Sequence, residues 1–274
     1  MKSNSPRYFI KKWGNPSKDI PPLVCLHGFT GSSKTFESLF DNRQLDFQVI
    51  AIDLIGHGQT SVVVDKMYYT FENMCDEVIL ELKKIGVVYF SLFGYSMGAR
   101  LALGIASKYP DHISHLILES GSPGLKTTQE QESRRASDEK LALKIEEEGV
   151  ASFVDFWENI ALFDSQKSLP KKSQEKIRQE RLSQQVFGLA NSLRFMGTGS
   201  QPSFWPKLKE MTLESITLIV GELDSKFITI ALEMKRENSK FQFITIKEAG
   251  HCVHLEKPDE VYQVINSIMK GGAI

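Results

Sequence analysis

Apolar residues in the first third of the chain fall in short unbroken runs. "PLVCLHG" (22–28), "FQVIAIDL" (47–54), "VVYFSLF" (87–93) and "ISHLILES" (113–120) are rich in β-branched and aromatic residues. Runs of this length predict strands buried on both faces. Between them the period changes. From about Thr70, residues Phe71, Met74, Cys75, Val78, Leu82 and Ile85 recur at helical spacing. A second helical pattern, carried by Leu101, Ile105 and Tyr109, follows the third run and stops near Pro110. Towards the C-terminus "SITLIVGELD" (215–224), a helix around "FITIALEMKRE", the strand "FQFITIKEAG" and a helix around "DEVYQVINSIMK" resume the alternation. Strand–helix alternation predicts an α/β fold with a mostly parallel central sheet and helices on both faces.

Residues 126–206 break this pattern. They contain no convincing strand, only amphipathic helical pieces such as "SDEKLALKIEEEG" and "SQEKIRQERLSQQ". The expectation is a core of residues 1–125 and 207–274 with a helical cap, 126–206, inserted over the carboxyl ends of the strands. Open α/β sheets bind their ligands there.

Charge narrows the function classes. The 274 residues carry 33 basic and 34 acidic side chains, a net charge of −1, which gives no general reason to bind nucleic acid or a membrane. The apolar runs are too short to span a bilayer. "MKSNSPRYFIKKWG" has no apolar h-region, so a secretion signal is not expected and the cytoplasm is the expected compartment. Cys25, Cys75 and Cys252 sit in apolar surroundings and cannot all pair, which fits reduced core thiols.

One stretch carries chemistry. "SLFGYSMGARLAL" (91–103) contains G-x-S-x-G between a strand signal and a helix signal. On such a tight turn Ser96 sits at the tip of the strand, and Gly94 and Gly98 let neighbouring backbone pass close. The plainer alternative is a glycine-rich turn with a solvated serine. A serine hydroxyl needs a base, and the base needs an orienting acid. His251 follows one late strand directly and Asp224 follows another, so Ser96, Asp224 and His251 form the catalytic candidates. Glu119, at the end of "LILES", is the rival acid, and Asp224 could simply cap the helix after it. His251 and His254 lack a third ligand at metal-binding spacing, so no metal is expected. The oxyanion donors would be the N–H groups of Met97 and Phe29. His27 is expected to brace the "HGFTGS" loop, and Asp53 to satisfy N–H groups within "DLIGHGQT".

Arg100 lies one helical turn after Ser96 and shares the face towards the site. A guanidinium there suits a carboxylate ligand; a salt bridge at the helix edge is the alternative. The cap holds twelve acidic and twelve basic residues, so anion recognition must come from individual inward-facing arginines.

Several stretches together resemble one family. "HGFTGS", "GYSMGAR", "ESGSPGLKT", "WENIALF", "ERLSQQ", "GTGSQPSFW", "GELDSKF" and "AGHCVHLEKP" are similar to the 2-succinyl-6-hydroxy-2,4-cyclohexadiene-1-carboxylate synthases of menaquinone biosynthesis, α/β-hydrolase-fold lyases often called MenH. Ala99 departs from the family pattern, which has a third glycine there. The resemblance implies elimination of pyruvate from a small tricarboxylate without a cofactor, Ser96 acting as a base within a proton relay. It implies Arg100 and Arg181 as carboxylate binders and Arg134 with them, although the adjacent Arg135 could take that role. Tyr95 and Trp157 would line the pocket, with Lys226 near it. A monomer is favoured. The competing readings are a hydrolase using the same triad through a covalent intermediate and a ligand-binding relative that kept the fold.

Overall fold

The computed structural model describes residues 5–272. Seven strands form one sheet: β1 (Ile10–Trp13), β2 (Leu23–Leu26), β3 (Val49–Ile52), β4 (Phe90–Tyr95), β5 (Ile113–Glu119), β6 (Ile216–Gly221) and β7 (Phe241–Ile246). Their order is β1-β3-β2-β4-β5-β6-β7. Only β1 pairs antiparallel, with β3; the other pairings are parallel. The α/β expectation therefore holds, with one strand the apolar pattern did not predict. β1 reads Ile-Lys-Lys-Trp and lies on an edge, half exposed. An edge strand needs no continuous apolar run.

Side chains alternate across the sheet, and helices cover each face. Val24, Leu26, Ile50 and Leu92 pack on the side that holds α2 (Phe71–Lys84) and α3 (Met97–Lys108). Leu23, Cys25, Val49 and Phe93 pack on the side that holds α1 (Glu37–Phe40). In α2 the buried residues include Phe71, Met74, Cys75, Val78 and Leu82, the stripe expected from spacing. The strand expected at 87–93 begins instead at Phe90 and runs to Tyr95. Its neighbours set that shift, since Ser91 pairs with Leu23 and Phe90 with Ile113. Val88 and Tyr89 precede the paired region and are exposed.

Between β5 and β6 the chain leaves the sheet. There it forms α4 (Thr128–Trp157), a 3-10 segment (Ala161–Ser168), α5 (Lys171–Leu182) and α6 (Val186–Met196). A capping box starts α4: Thr127 accepts from the Glu130 N–H, and the Glu130 carboxylate accepts from the Thr127 N–H. Gly149, at φ 82°, kinks α4. The helical piece expected to end there continues beyond it. Ala142, Ile145 and Phe153 pack against Leu189, Ala190 and Leu193 of α6, giving this block a small core of its own. The chain then completes the sheet, with α7 (Ser225–Glu237) between β6 and β7, followed by α8 (Val253–Glu256) and α9 (Pro258–Met269).

Candidate active site

The tip of β4 turns into α3 at Ser96, whose φ of 51° and ψ of −106° are unusual for a residue with a side chain. The turn is possible because its flanks are bare. A Cβ on Gly94 would come within 2.4 Å of the Gly98 carbonyl oxygen, and one on Gly98 within 2.0 Å of the Leu26 oxygen. The smallest side chains are thus required where the helix start crosses the sheet. Ala99 is accommodated in full burial beside them.

Three strand exits converge on this turn. His251, on the loop after β7, has Nε2 3.0 Å from Ser96 Oγ. Its Nδ1 is 2.7 Å from Asp224 Oδ2, on the turn after β6. Both side chains are almost wholly buried. Asp224 also caps α7, its Oδ1 accepting the Phe227 N–H at 3.3 Å. One carboxylate thus fills both roles that the sequence left as alternatives. Glu119, the rival acid, instead meets His254 Nδ1 at 2.7 Å. The two histidines of "HCVH" are therefore committed to separate carboxylates. Among the described residues no group of three or more His, Cys, Asp or Glu could hold a metal ion.

His27 braces its loop: Leu54 N–H donates to Nε2 at 2.9 Å, which leaves Nδ1–H to donate to the Gly28 carbonyl at 2.8 Å. Burial pulls His27 down to about 4 and His57, which also feels His27, to about 3. Both rings are neutral at physiological pH. Asp53 accepts the Ser33 and Gln59 N–H groups at 2.6 and 2.8 Å, the loop-bracing role expected of it. Met97 opens α3, so its N–H has no carbonyl one turn back to bond.

Ser96 and His251 open onto a cavity of about 440 Å³ whose wall includes Phe29, Tyr95, Met97 and Trp157. Arg100, Arg134, Lys126 and Lys226 also reach this wall. Their partners differ. Arg100 donates to the Met196 carbonyl at 2.9 Å and to Gln201 Oε1 at 3.0 Å, both neutral acceptors. Burial, helped by the neighbouring Arg134 charge, lowers Arg100 to about 10, which still leaves it protonated at neutral pH. Arg134 donates from Nε to Asp138 at 2.7 Å, while Arg135 turns away to the Gly199 carbonyl. Lys126 pairs with Glu233, another wall residue. Lys226 lies 5.5 Å from the Phe227 ring.

Arg181, expected as a carboxylate binder, is placed apart from the other arginines. It is not on the wall of this cavity. Its guanidinium stacks 4.6 Å over Phe163 and donates to Gln166 Oε1 at 2.9 Å. Phe163 lines both the cavity beside Ser96 and the two smaller spaces that Arg181 faces. The reason is local: Phe163 lies on the 3-10 segment ahead of α5, and its ring covers the guanidinium.

A family model described as alpha/beta hydrolase fold matches residues 21–258. The chain belongs to the α/β-hydrolase family. This α/β-hydrolase is 40% identical over 270 residues to a Bacillus subtilis protein provisionally named a 2-succinyl-6-hydroxy-2,4-cyclohexadiene-1-carboxylate synthase. The match covers 97% of this chain and 96% of that protein. A Citrobacter koseri protein bearing the same name is 28% identical over 250 residues, covering 91% of this chain and 94% of that protein. Among solved structures, MenH from S. aureus superposes with a TM-score of 0.87 at 37% identity, over 96% of this chain and 98% of that one.

Sequence reasoning missed Phe163, Gln201 and the Lys126–Glu233 pair. Gln201 stands inside "GTGSQPSFW", but nothing in that string announces that its amide oxygen receives Arg100. Lys126 and Glu233 are 107 positions apart, and no local pattern links them.

Proposed function

We propose that this α/β-hydrolase is a lyase that eliminates pyruvate from 2-succinyl-5-enolpyruvyl-6-hydroxy-3-cyclohexene-1-carboxylate. The ring product is 2-succinyl-6-hydroxy-2,4-cyclohexadiene-1-carboxylate, and the step belongs to menaquinone biosynthesis. The observation that carries the reading is Arg100, a guanidinium on the wall beside Ser96 whose hydrogen bonds go only to neutral acceptors. The Asp138 carboxylate acts on this charge from nearby but makes its hydrogen bond to Arg134, and a guanidinium so placed on the wall suits an anionic ligand. The names borne by full-length relatives support the same substrate class.

In this mechanism Ser96, His251 and Asp224 work as a proton relay. His251 Nε2 withdraws the Ser96 hydroxyl proton, and Oγ removes the acidic ring hydrogen beside the succinyl carbonyl. Asp224 holds the ring with Nε2 towards the serine and stabilises the imidazolium that forms. Negative charge moves onto the carbonyl oxygen, where the Phe29 and Met97 N–H groups receive it. The carbon–oxygen bond to the enolpyruvyl group then breaks, and the released enolpyruvate takes up a proton to become pyruvate. No water enters the products.

Arg100 and Arg134 hold carboxylates of the substrate, with Lys226 at the rim and Tyr95 and Trp157 packing the ring. Arg181 serves a third carboxylate once the Phe163 ring gives way. Residues 126–206 act as the cap that closes the cavity. With this reading goes a monomeric, cofactor-independent enzyme of the cytoplasm that acts on a small tricarboxylate, without nucleic acid or membrane partners. No helix among the described residues is long and apolar enough to cross a membrane.

The test is turnover of the enolpyruvyl substrate, followed by the near-ultraviolet absorbance of the conjugated diene and by pyruvate release. One diene per pyruvate is expected. No turnover of this substrate, combined with turnover of simple carboxylate esters, would favour the hydrolase reading.

A further inference from the structure

Beneath the Ser96–His251–Asp224 set lies a second relay that the mechanism above does not use. Thr35 Oγ1 is 2.8 Å from His254 Nε2, and His254 Nδ1 is 2.7 Å from Glu119 Oε1. With Glu119 as carboxylate, Nδ1–H donates to it and Nε2 accepts from the Thr35 hydroxyl. His254 and Glu119 are wholly buried, Thr35 nearly so, and none of the three lines the catalytic cavity. A serine-hydrolase-like constellation that cannot reach substrate has no chemistry to perform on it.

Its contacts say what it holds. Thr35 lies in the 3-10 turn Ser33–Phe36, directly after the loop that carries Phe29, and its N–H donates to the Ser32 carbonyl. His254 lies three residues after His251, and its own N–H donates to Glu119 Oε1 at 3.2 Å. The same strand end reaches the triad twice more. The Glu119 carbonyl accepts the Ser96 N–H at 2.8 Å, and the Ser120 hydroxyl donates to the His251 carbonyl at 2.9 Å. Ser120 does this from a φ of 48°. The Tyr95 ring packs between the layers, 5.5 Å from His251 and 4.7 Å from His254. The nucleophile, the base loop and the oxyanion loop come from distant parts of the chain, yet all three are tied to the end of β5.

We propose that Thr35, His254, Glu119 and Ser120 are positioning residues. They keep Ser96, His251 and the Phe29 loop in one register, so that proton transfer and charge stabilisation act on the same substrate atom. The geometry is demanding, because a misplacement of about 1 Å can cost about a hundredfold in rate.

Thr35→Val keeps the shape of the side chain and removes the hydroxyl; Thr35→Ser restores it. Ser120→Gly removes the other hydroxyl and takes up the positive φ without strain, so the fold survives. The expected result for Thr35→Val and Ser120→Gly is a kcat lower by about ten- to a hundredfold with KM changed less than about twofold. Thr35→Ser should return to near the parent kcat. A purely structural role would lower the melting temperature and leave kcat of the folded protein alone.

The kinetic readout rests on the elimination proposed above, so a second readout is independent of it: the rate at which a fluorophosphonate labels Ser96. In that step the Ser96 oxygen bonds to phosphorus, fluoride leaves, and the serine proton passes to His251. Labelling should slow in parallel with kcat. A folded Thr35→Val or Ser120→Gly protein that labels Ser96 at the parent rate overturns the positioning proposal, whatever the natural substrate is. Fast labelling of the parent without turnover of the enolpyruvyl substrate would count against the proposed activity alone.

Discussion

The ends of the strands and the wall of the cavity are built in different ways. Ser96, Asp224 and His251 each stand just beyond the end of a strand of the same sheet, and hydrogen bonds join them. Neighbouring strands in register leave these exits little freedom. The wall opposite is shared: α3 contributes Arg100 and α7 contributes Lys226, while the helical block between β5 and β6 contributes Arg134 and Trp157. That block meets the core through specific contacts that include Arg100 with the Met196 carbonyl, Gly58 N–H with Gln184, Ser32 with Glu180, and Gly56 against Gly188. The sheet positions the Ser96–His251–Asp224 set, and in the proposed reading the charges on the wall select the ligand. Chemistry and specificity should therefore fail separately.

The largest expected effect is on the sheet side. Ser96→Ala and His251→Ala should each lower kcat by at least about a thousandfold while the protein stays folded, because both lie on loops. The double variant should be little worse than either single one, since the residues act as one unit. A double loss equal to the sum of the two single losses in free energy would separate what we describe as a unit.

On the wall, Arg100→Ala should weaken kcat/KM by about 2–5 kcal/mol, the scale for a desolvated charge left without its partner. Arg100→Lys should recover only part, lacking the flat two-pronged fork. Near-parent kinetics for Arg100→Ala would return that residue to a structural role beside Gln201.

A smaller effect is expected at the joint between the regions. A Cβ on Gly188 would come within 2.2 Å of the Gly56 carbonyl oxygen, so Gly188→Ala must push α6 away from the core loop. The expected cost is about 1–3 kcal/mol of stability, measured by denaturant unfolding, with KM rising more than kcat falls. An unchanged KM would mean that the wall does not depend on this contact.

The smallest effect is one of pH. Burial raises the Glu180 carboxyl from its ordinary 4.5 to about 7, against the opposing hydrogen bond from Ser32. The folded protein thus binds this proton more tightly than the unfolded chain does. The contribution of the protonated form is fully present below about 4.5 and is lost as pH rises towards about 7. Thermal stability should fall across that window, and Glu180→Gln should flatten the fall. An equally steep pH dependence in Glu180→Gln would assign it to other groups.

The same division explains what could be read without coordinates. The apolar runs predicted β2 to β6, which lie inside the sheet, and also the edge strand β7, whose Phe-Gln-Phe-Ile-Thr-Ile keeps a β-branched and aromatic run. They missed β1, the other edge strand, because its four residues, Ile-Lys-Lys-Trp, form no apolar run. The order Ser96, Asp224, His251 was legible because each follows its own strand signal. The wall was legible only in part. Arg100 is fixed by its distance along α3 from the serine, but Arg134 and Arg135 are separated only by how α4 lies on its neighbours. Whether Arg181 reaches the cavity depends on Phe163, eighteen residues earlier, and no periodicity encodes that ring's position. The Thr35–His254–Glu119 relay joins residues up to 219 positions apart. Long-range packing decides such contacts, and local patterns do not carry it.

The central claim is that this triad moves a proton and adds no water. Mass spectrometry of the ring product formed from the enolpyruvyl substrate tests it most directly. Elimination predicts a mass equal to that of the substrate less one pyruvic acid. A ring product heavier than that by one water, with the ring oxygen retained, would mean that the chain hydrolyses the substrate and would contradict the proton-relay account.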